Sequence, residues 1–217
     1  GDFKMSFGTG ASIVLGNASN LASIYEDMKQ QFPPCELLTY DTILELMKKG
    51  RYKLLMYRRL ADYKVVGYAL VYKVEDGNFL WGDYLAIRKE FQCLNYGSGF
   101  IQAICEKYRD SYEGLLFSVE HVSNTDPALA KNQKRRIKFY KNLGAQRLHA
   151  HYLQPTDDGN IPMYLYFKPF GDVTEIGRDA QIHAISKMYE FCFSHLKHCS
   201  ELLPRFESTI RDEKFKD

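Results

Sequence analysis

Long apolar runs are missing from this chain. None of its 217 residues belongs to a stretch able to cross a bilayer, and no secretory leader is visible. A cytoplasmic protein is the expectation. Charge of one sign is not in excess either: 29 Lys and Arg stand against 27 Asp and Glu, a net charge of +2. Neither nucleic acid nor a membrane surface is therefore expected as a partner. Cysteine is sparse. Cys35, Cys93, Cys105, Cys192 and Cys199 are scattered, odd in number, and form no Cys-x-x-Cys pair. Neither a disulfide framework nor a zinc site is indicated, and reduced, mostly buried thiols are the simple reading. No Lys-Ser or Lys-Thr follows a glycine cluster, which argues against a P-loop, and the third glycine of a dinucleotide fingerprint is absent. Repeats, low-complexity tracts and a convincing linker are lacking as well.

What is present is an ordinary globular composition, 45% hydrophobic and 26% charged. The length suits one large domain, or a domain with an appendage. The chain is organised around residues 83–109. Residues 83–87 (DYLAI) read as a mostly buried strand. A loop with Tyr96-Gly97-Ser98-Gly99 follows, and Ile101, Ile104, Cys105 and Tyr108 then recur at helical spacing. Two glycines at a helix start permit an ordinary tight turn. They also permit close approach of a phosphate to the unpaired N–H groups of residues 96–100.

Around this centre the spacing predicts a first strand at 12–15, helices at 20–31 and 41–49, and an antiparallel meander of strands at 52–58, 65–72 and 79–87. Beyond the central helix come a buried strand at 114–119, a helix at 134–143 stopped by Gly144, and strands at 145–152 and 163–167 joined by a Pro/Asp/Gly loop. The apolar residues of 173–200 predict one long helix, and the charged end predicts a frayed terminus. The weakest boundary, Phe170-Gly171, divides the chain into a domain at 1–170 and a helical extension at 171–217. That extension packs on the domain or builds a homodimer.

Three motifs resemble the GNAT superfamily of acyl-CoA-dependent N-acyltransferases. Asp83-Tyr84-Leu85-Ala86-Ile87 is similar to the family's central strand. Asn95-Tyr96-Gly97-Ser98-Gly99 is similar to its pyrophosphate loop. Ile137-Lys138-Phe139-Tyr140-Lys141-Asn142-Leu143-Gly144-Ala145 is similar to its helix ending in Phe-Tyr-x-x-x-Gly-Phe. The resemblance spans residues 15–170. It departs where the family loop reads Gln/Arg-x-x-Gly-x-Gly/Ala. Read with Leu94 in the first place, the loop is about two residues longer than the family's, and Gln92 or Arg88 is left to substitute. Gln133 stands where the family often has Asn, with Asn132 beside it.

The resemblance implies an α/β fold of the α+β type: a mixed, mostly antiparallel sheet flanked by helices, with an extra C-terminal helix. It implies acetyl transfer from acetyl-CoA to a primary amine by direct attack in a ternary complex, without a metal. The backbone of Leu85, Ala86 and Ile87 would bind the pantetheine arm. The N–H groups of Tyr96, Gly97, Ser98, Gly99 and Phe100, with Asn95 and Asn132, would complete the donor site. Tyr140 would protonate the leaving thiolate, or serve as a core aromatic. Glu120 and Asp83 are the base candidates, with Glu120 preferred and Asp83 fixing the strand edge. Phe32, Glu36, Tyr40 and Tyr84 are candidates for the acceptor pocket. His149 and His151 alternate on one strand without a third metal ligand. Lys134-Arg135-Arg136 would meet the 3′-phosphate side of CoA, or form a solvated face. A different reading is a non-catalytic acyl-CoA-binding sensor or scaffold.

Overall fold

The computed structural model describes residues 10–216. They fall into two compact units. One runs up to Lys73 and includes Gly82–Asp110; the other joins Val74–Trp81 to the chain from Ser111 onward.

The first unit contains β1 (Ala11–Gly16), α1 (Ala18–Gln31), α2 (Tyr40–Lys48), β2 (Tyr52–Arg59), β3 (Val65–Lys73), the later part of β4 (Phe79–Ile87) and α3 (Tyr96–Tyr108). Its strands lie in sequence order. Asn17 starts α1 by accepting from the N–H groups of Ser19 (3.0 Å) and Asn20 (3.2 Å), while Asn20 Oδ1 accepts from the Asn17 N–H (2.9 Å). Phe32 ends it in an extended conformation before Pro33-Pro34. Leu21, Ile24 and Met28 of α1, with Ile43 and Leu46 of α2, are buried. β2 and β3 pair antiparallel with a bulge: Tyr57 faces Gly67, whereas Arg58 faces Val65. The extra residue, Val66, turns its carbonyl to the Arg88 N–H (2.9 Å), just past β4. Gly67 leaves room for Ile87, whose Cδ1 a Cβ would meet at 2.7 Å, and beside it the Phe100 ring of α3 stacks on Tyr57 with centroids 4.9 Å apart. This seat fixes α3.

The second unit contains the start of β4, β5 (Gly114–Glu120), α4 (Pro127–Asn142), β6 (Gln146–Arg147), β7 (Leu153–Thr156), β8 (Gly159–Pro169), β9 (Glu175–Ile176), α5 (Arg178–Cys192), α6 (Leu203–Phe206) and β10 (Glu213–Lys214). β8 is its centre, antiparallel to β5, β6 and β7. Gly114 lies so close to Phe167 that a Cβ would sit 2.3 Å from the ring.

Several expectations are corrected here. The loop after residue 153 is itself the β7–β8 hairpin. The helix at 134–143 begins earlier, at Pro127, because Asp126 caps the N–H groups of Ala128 and Leu129. The long C-terminal helix stops at Cys192. The chain then turns, burying Cys199, Leu202, Phe206 and Ile210. The charged end does not fray. β10 pairs with β9, the buried Glu213 accepts from the His149 N–H (2.8 Å) and contacts its Nδ1 (2.9 Å), and the Phe215 ring lies 5.9 Å from Phe167. Charge alone misled the reading, since Glu213 is used inside the unit.

The thiols divide by environment. Cys35 and Cys93 are exposed, Cys105 is half-buried, and Cys192 and Cys199 are buried. Burial pushes the Cys199 thiol up to about 11. An aromatic disulfide reagent is expected to titrate Cys35 and Cys93 quickly, and Cys192 and Cys199 only after denaturation. Rapid modification of Cys199 in the native protein would contradict this.

Candidate active site

The path from β4 to α3 is short. A 3-10 turn at Lys89–Phe91 is followed by Cys93 and Asn95, both with left-handed backbones (φ +64° and +65°). Asn is among the residues that tolerate this region, where Gly is the default. Asn95 therefore stands in a glycine's place, and Gln92-Cys93-Leu94-Asn95-Tyr96-Gly97 fits the Gln-x-x-Gly-x-Gly pattern with that one exchange. In this register the loop carries no insertion. Asn95 is the N-cap of α3, yet no side chain caps the helix. Its carbonyl accepts from the Gly99 N–H (3.4 Å) and Ser98 Oγ (3.2 Å). Tyr96 and Phe100 are buried, so backbone N–H groups are what this turn offers a ligand.

One cationic group reaches the turn, and two more line a concavity beside Phe91 in the same unit. The Arg59 guanidinium lies over the Phe91 ring (4.9 Å) and donates to Tyr96 Oη (3.3 Å) and Asp62 (2.8 Å). Arg59's hydrogen bonds hold the Asp62 carboxyl down at about 2. A concavity of about 480 Å³ is lined by Lys64, Val65, Arg88, Glu90 and Phe91. Pattern reading missed Arg59, because only the fold brings it to Tyr96.

The residues expected to meet the acceptor fall into one aromatic cluster. The Tyr84 hydroxyl accepts from the Leu38 N–H (2.8 Å) and donates to the Glu36 carbonyl (2.8 Å). Phe32 packs edge-on against Tyr84 at 5.1 Å, and Tyr40 against Tyr25 at 5.6 Å. Tyr25 in turn donates to the Leu38 carbonyl (2.8 Å), and burial raises its hydroxyl. Tyr84 thus pins the α1–α2 loop. Asp83, one residue earlier, accepts a hydrogen bond from the Tyr52 hydroxyl.

In the second unit Glu120 ends β5, and its Oε2 accepts from Gln133 Nε2 (2.9 Å). Gln133 is buried on α4, and its Oε1 accepts from the Ser123 N–H (2.7 Å). Asn132 is exposed, so the residue that reaches the strand is its neighbour. Tyr140 lies farther along α4, half-buried, its ring 4.7 Å from Phe117 of β5. Burial raises its hydroxyl, opposed by Arg136. Lys134, Arg135 and Arg136 are exposed. Arg147 lies 3.6 Å over the Tyr164 ring, which also contacts His121 (4.3 Å). Burial, then Arg147 and His151, lower His121. His149 is engaged by Glu213. Among the described residues no group of three His, Cys, Asp or Glu could hold a metal, and no helix is long and apolar enough to cross a membrane.

Asp83, Tyr84, the glycine turn and the α1–α2 loop therefore belong to one unit, and Glu120, Asn132 and Tyr140 to the other. The fold is a mixed, mostly antiparallel sheet flanked by helices, the architecture of acetyltransferases of the GNAT type. Residues 21–145 match the Acetyltransferase (GNAT) family, more than half of the chain. The chain belongs to this family and is an acyl-transfer enzyme. Similar solved structures include a protein from Bacteroides thetaiotaomicron assigned to the GNAT family. Its TM-score is 0.65 at 19% identity, over 82% of this chain and 96% of that one. The ribosomal-protein-S18-alanine N-acetyltransferase of Escherichia coli gives 0.54 at 16% identity, over 75% and 96%. A spermidine N-acetyltransferase from Vibrio cholerae, in complex with CoA and spermine, gives 0.56 at 10% identity, over 74% and 95%. At identities this low the likeness is one of fold. No curated protein matches the chain by sequence.

Proposed function

We propose that this enzyme transfers an acetyl group from acetyl-CoA to a primary amine, by direct attack within a ternary complex. The observation that carries the reading is the start of α3: a left-handed Asn95, then Gly97 and Gly99, with no capping side chain. Such a turn fits a pyrophosphate, because its N–H groups are donors and the helix dipole favours negative charge. Arg59, Lys64 and Arg88 in the same unit supply matching charge. The donor identity draws support from the relative crystallised with CoA, and the amine acceptor from two relatives named for N-acetylation of spermidine and of a ribosomal-protein alanine.

The chemistry assigns one role to each group. The backbone of Leu85, Ala86 and Ile87 holds the pantetheine arm as an added strand, and one N–H there polarises the thioester carbonyl. The neutral amine attacks that carbon. Glu120 takes the amine's proton, oriented by the Gln133 amide. Asp83, already engaged by Tyr52, fixes the β4 edge instead. As the carbon–sulfur bond breaks, Tyr140 gives its proton to the thiolate. Phe32, Glu36, Tyr40 and Tyr84 shape the acceptor side through the loop they brace.

Calorimetric titration with acetyl-CoA is the test, followed by an amine screen that monitors thiol release. Saturable binding with a Kd of about 1–100 μM is expected, in the usual range for enzyme substrates. Thiol release must be corrected for Cys35 and Cys93, which are exposed. Absence of binding by the wild type would overturn the reading.

A further inference from the structure

Ile87 closes β4, and its carbonyl receives two side-chain amides. Gln31 Nε2 reaches it from the end of α1, and Gln92 Nε2 from the following loop, each at 3.0 Å. Gln92 Nε2 also donates to Gln31 Oε1 (3.3 Å). Gln31 Nε2 also donates to Asp27 Oδ2 (2.5 Å). Asp27, one turn earlier on α1, is 9% exposed, and the same oxygen accepts from the Tyr68 hydroxyl at 2.7 Å.

The donors balance. A primary amide has two N–H groups and one oxygen. Gln31 directs its two at Asp27 and Ile87, which leaves its oxygen facing Gln92. Gln92 directs its two at Ile87 and at that oxygen. Asp27 therefore dictates which way both amides point, because its Oδ2, which already accepts from the Tyr68 hydroxyl, faces the Gln31 amide nitrogen. The backbone of the loop itself forms a single turn, Phe91 N–H to Arg88 O (2.9 Å) and Gln92 N–H to Lys89 O (3.3 Å). The amides tie that turn to a strand on one side and a buried carboxylate on the other.

We infer that Gln31, held by Asp27, is a positioning residue of the donor site. It fixes the loop at 88–95 and, through it, the direction of the first N–H groups of α3. The inference rests on the acetyl-CoA reading above. Neither residue touches reacting atoms. A polyphosphate is bound well only by donors already in place, since ordering a loop on binding subtracts from affinity. Loss of the link should thus weaken donor binding rather than slow the chemistry.

Four variants separate this role from a contribution to folding. Gln31→Met keeps the length and removes the amide. Gln31→Glu keeps the shape but turns carboxylate oxygens toward Asp27 and the Ile87 carbonyl. Asp27→Asn retains an acceptor oxygen and is the conservative rescue. Gln92→Leu cuts the link from the exposed loop without touching α1. Each is titrated with acetyl-CoA and melted without ligand. Gln31→Met is expected to raise Kd about 10-fold and Gln92→Leu about 5-fold, the scale of one or two hydrogen bonds. Gln31→Glu should be worse than Gln31→Met, and Asp27→Asn should stay within about 3-fold of wild type, because its oxygen still accepts. Lower melting points with unchanged Kd would mean a folding role only and would overturn the inference. If Gln31→Met does not fold, Gln31→Glu decides in the same way, because Gln92 is itself a candidate contact to the pyrophosphate and its loss would weaken binding on either account. Wild-type binding with unaltered variants sinks this inference alone, whereas no wild-type binding sinks the acetyl-CoA reading with it.

Discussion

Gly97→Asp abolishes acetyl-CoA binding, raising Kd by at least about 100-fold, while the melting temperature holds or rises. The two halves of this result come from one charge. Gly97 is the second residue of α3, inside the turn that Asn95 opens. A carboxylate in a first helical turn interacts favourably with the dipole, and replacing glycine removes backbone entropy from the unfolded chain. Both effects favour folding by a few tenths of a kcal/mol to about 1 kcal/mol. The same carboxylate sits where the pyrophosphate would lie. It adds like-charge repulsion, places a side chain in the cradle and competes for its N–H groups. Loss of affinity with intact or improved stability is thus the expected signature. Calorimetry with paired melting curves measures it. Full binding by Gly97→Asp would remove the turn from the donor site. Joint loss of binding and stability would reveal only a packing defect.

The same turn shows how far the sequence could be read. Helix spacing fixed α1 and α2 within a residue or two, because each buries one apolar stripe and they are bounded by Asn17, Pro33 and Gly50. The register of the donor loop was less legible. Asn95 does not announce a left-handed backbone, and only its φ of +65° shows that it does glycine's work. Residues 145–152 are a different case. Leu148, Ala150 and Tyr152 alternate in burial as expected, yet β6 has just two residues. The N–H groups of His149 and His151 go to Glu213 Oε2 (2.8 Å) and Thr209 Oγ1 (2.9 Å). Tail side chains some sixty positions away stand where a neighbouring strand would pair, and no local pattern encodes that. Gln133 was visible as a departure from the family's usual Asn, but its bond to Glu120 was not. The Asp27 network was invisible for the same reason: its members come from α1, β3 and the donor loop, and each alone is an unremarkable polar residue.

Tyr140→Phe lowers kcat about 100-fold, within the range usual for losing a general acid, and leaves the Kd for acetyl-CoA within about 2-fold. The ring packs on Phe117 at 4.7 Å, and Phe keeps that contact, so binding and fold persist. What disappears is the proton. Burial raises the hydroxyl above the usual tyrosine range, so it is the protonated form that stands ready throughout the neutral range. The sign follows directly: an acid with a raised pKa remains competent to higher pH. The wild-type kcat should therefore hold past pH ~10, the ordinary tyrosine value, before this group titrates. The Phe variant should lack that alkaline limb. If thiolate departure limits the rate, the defect should shrink with a thioester whose leaving thiol is more acidic, because such a sulfur needs less protonation. Equal defects with both thioesters, or a wild-type kcat retained by Tyr140→Phe, would return Tyr140 to the role of a core aromatic. The proton for the sulfur would then come from solvent or from another residue.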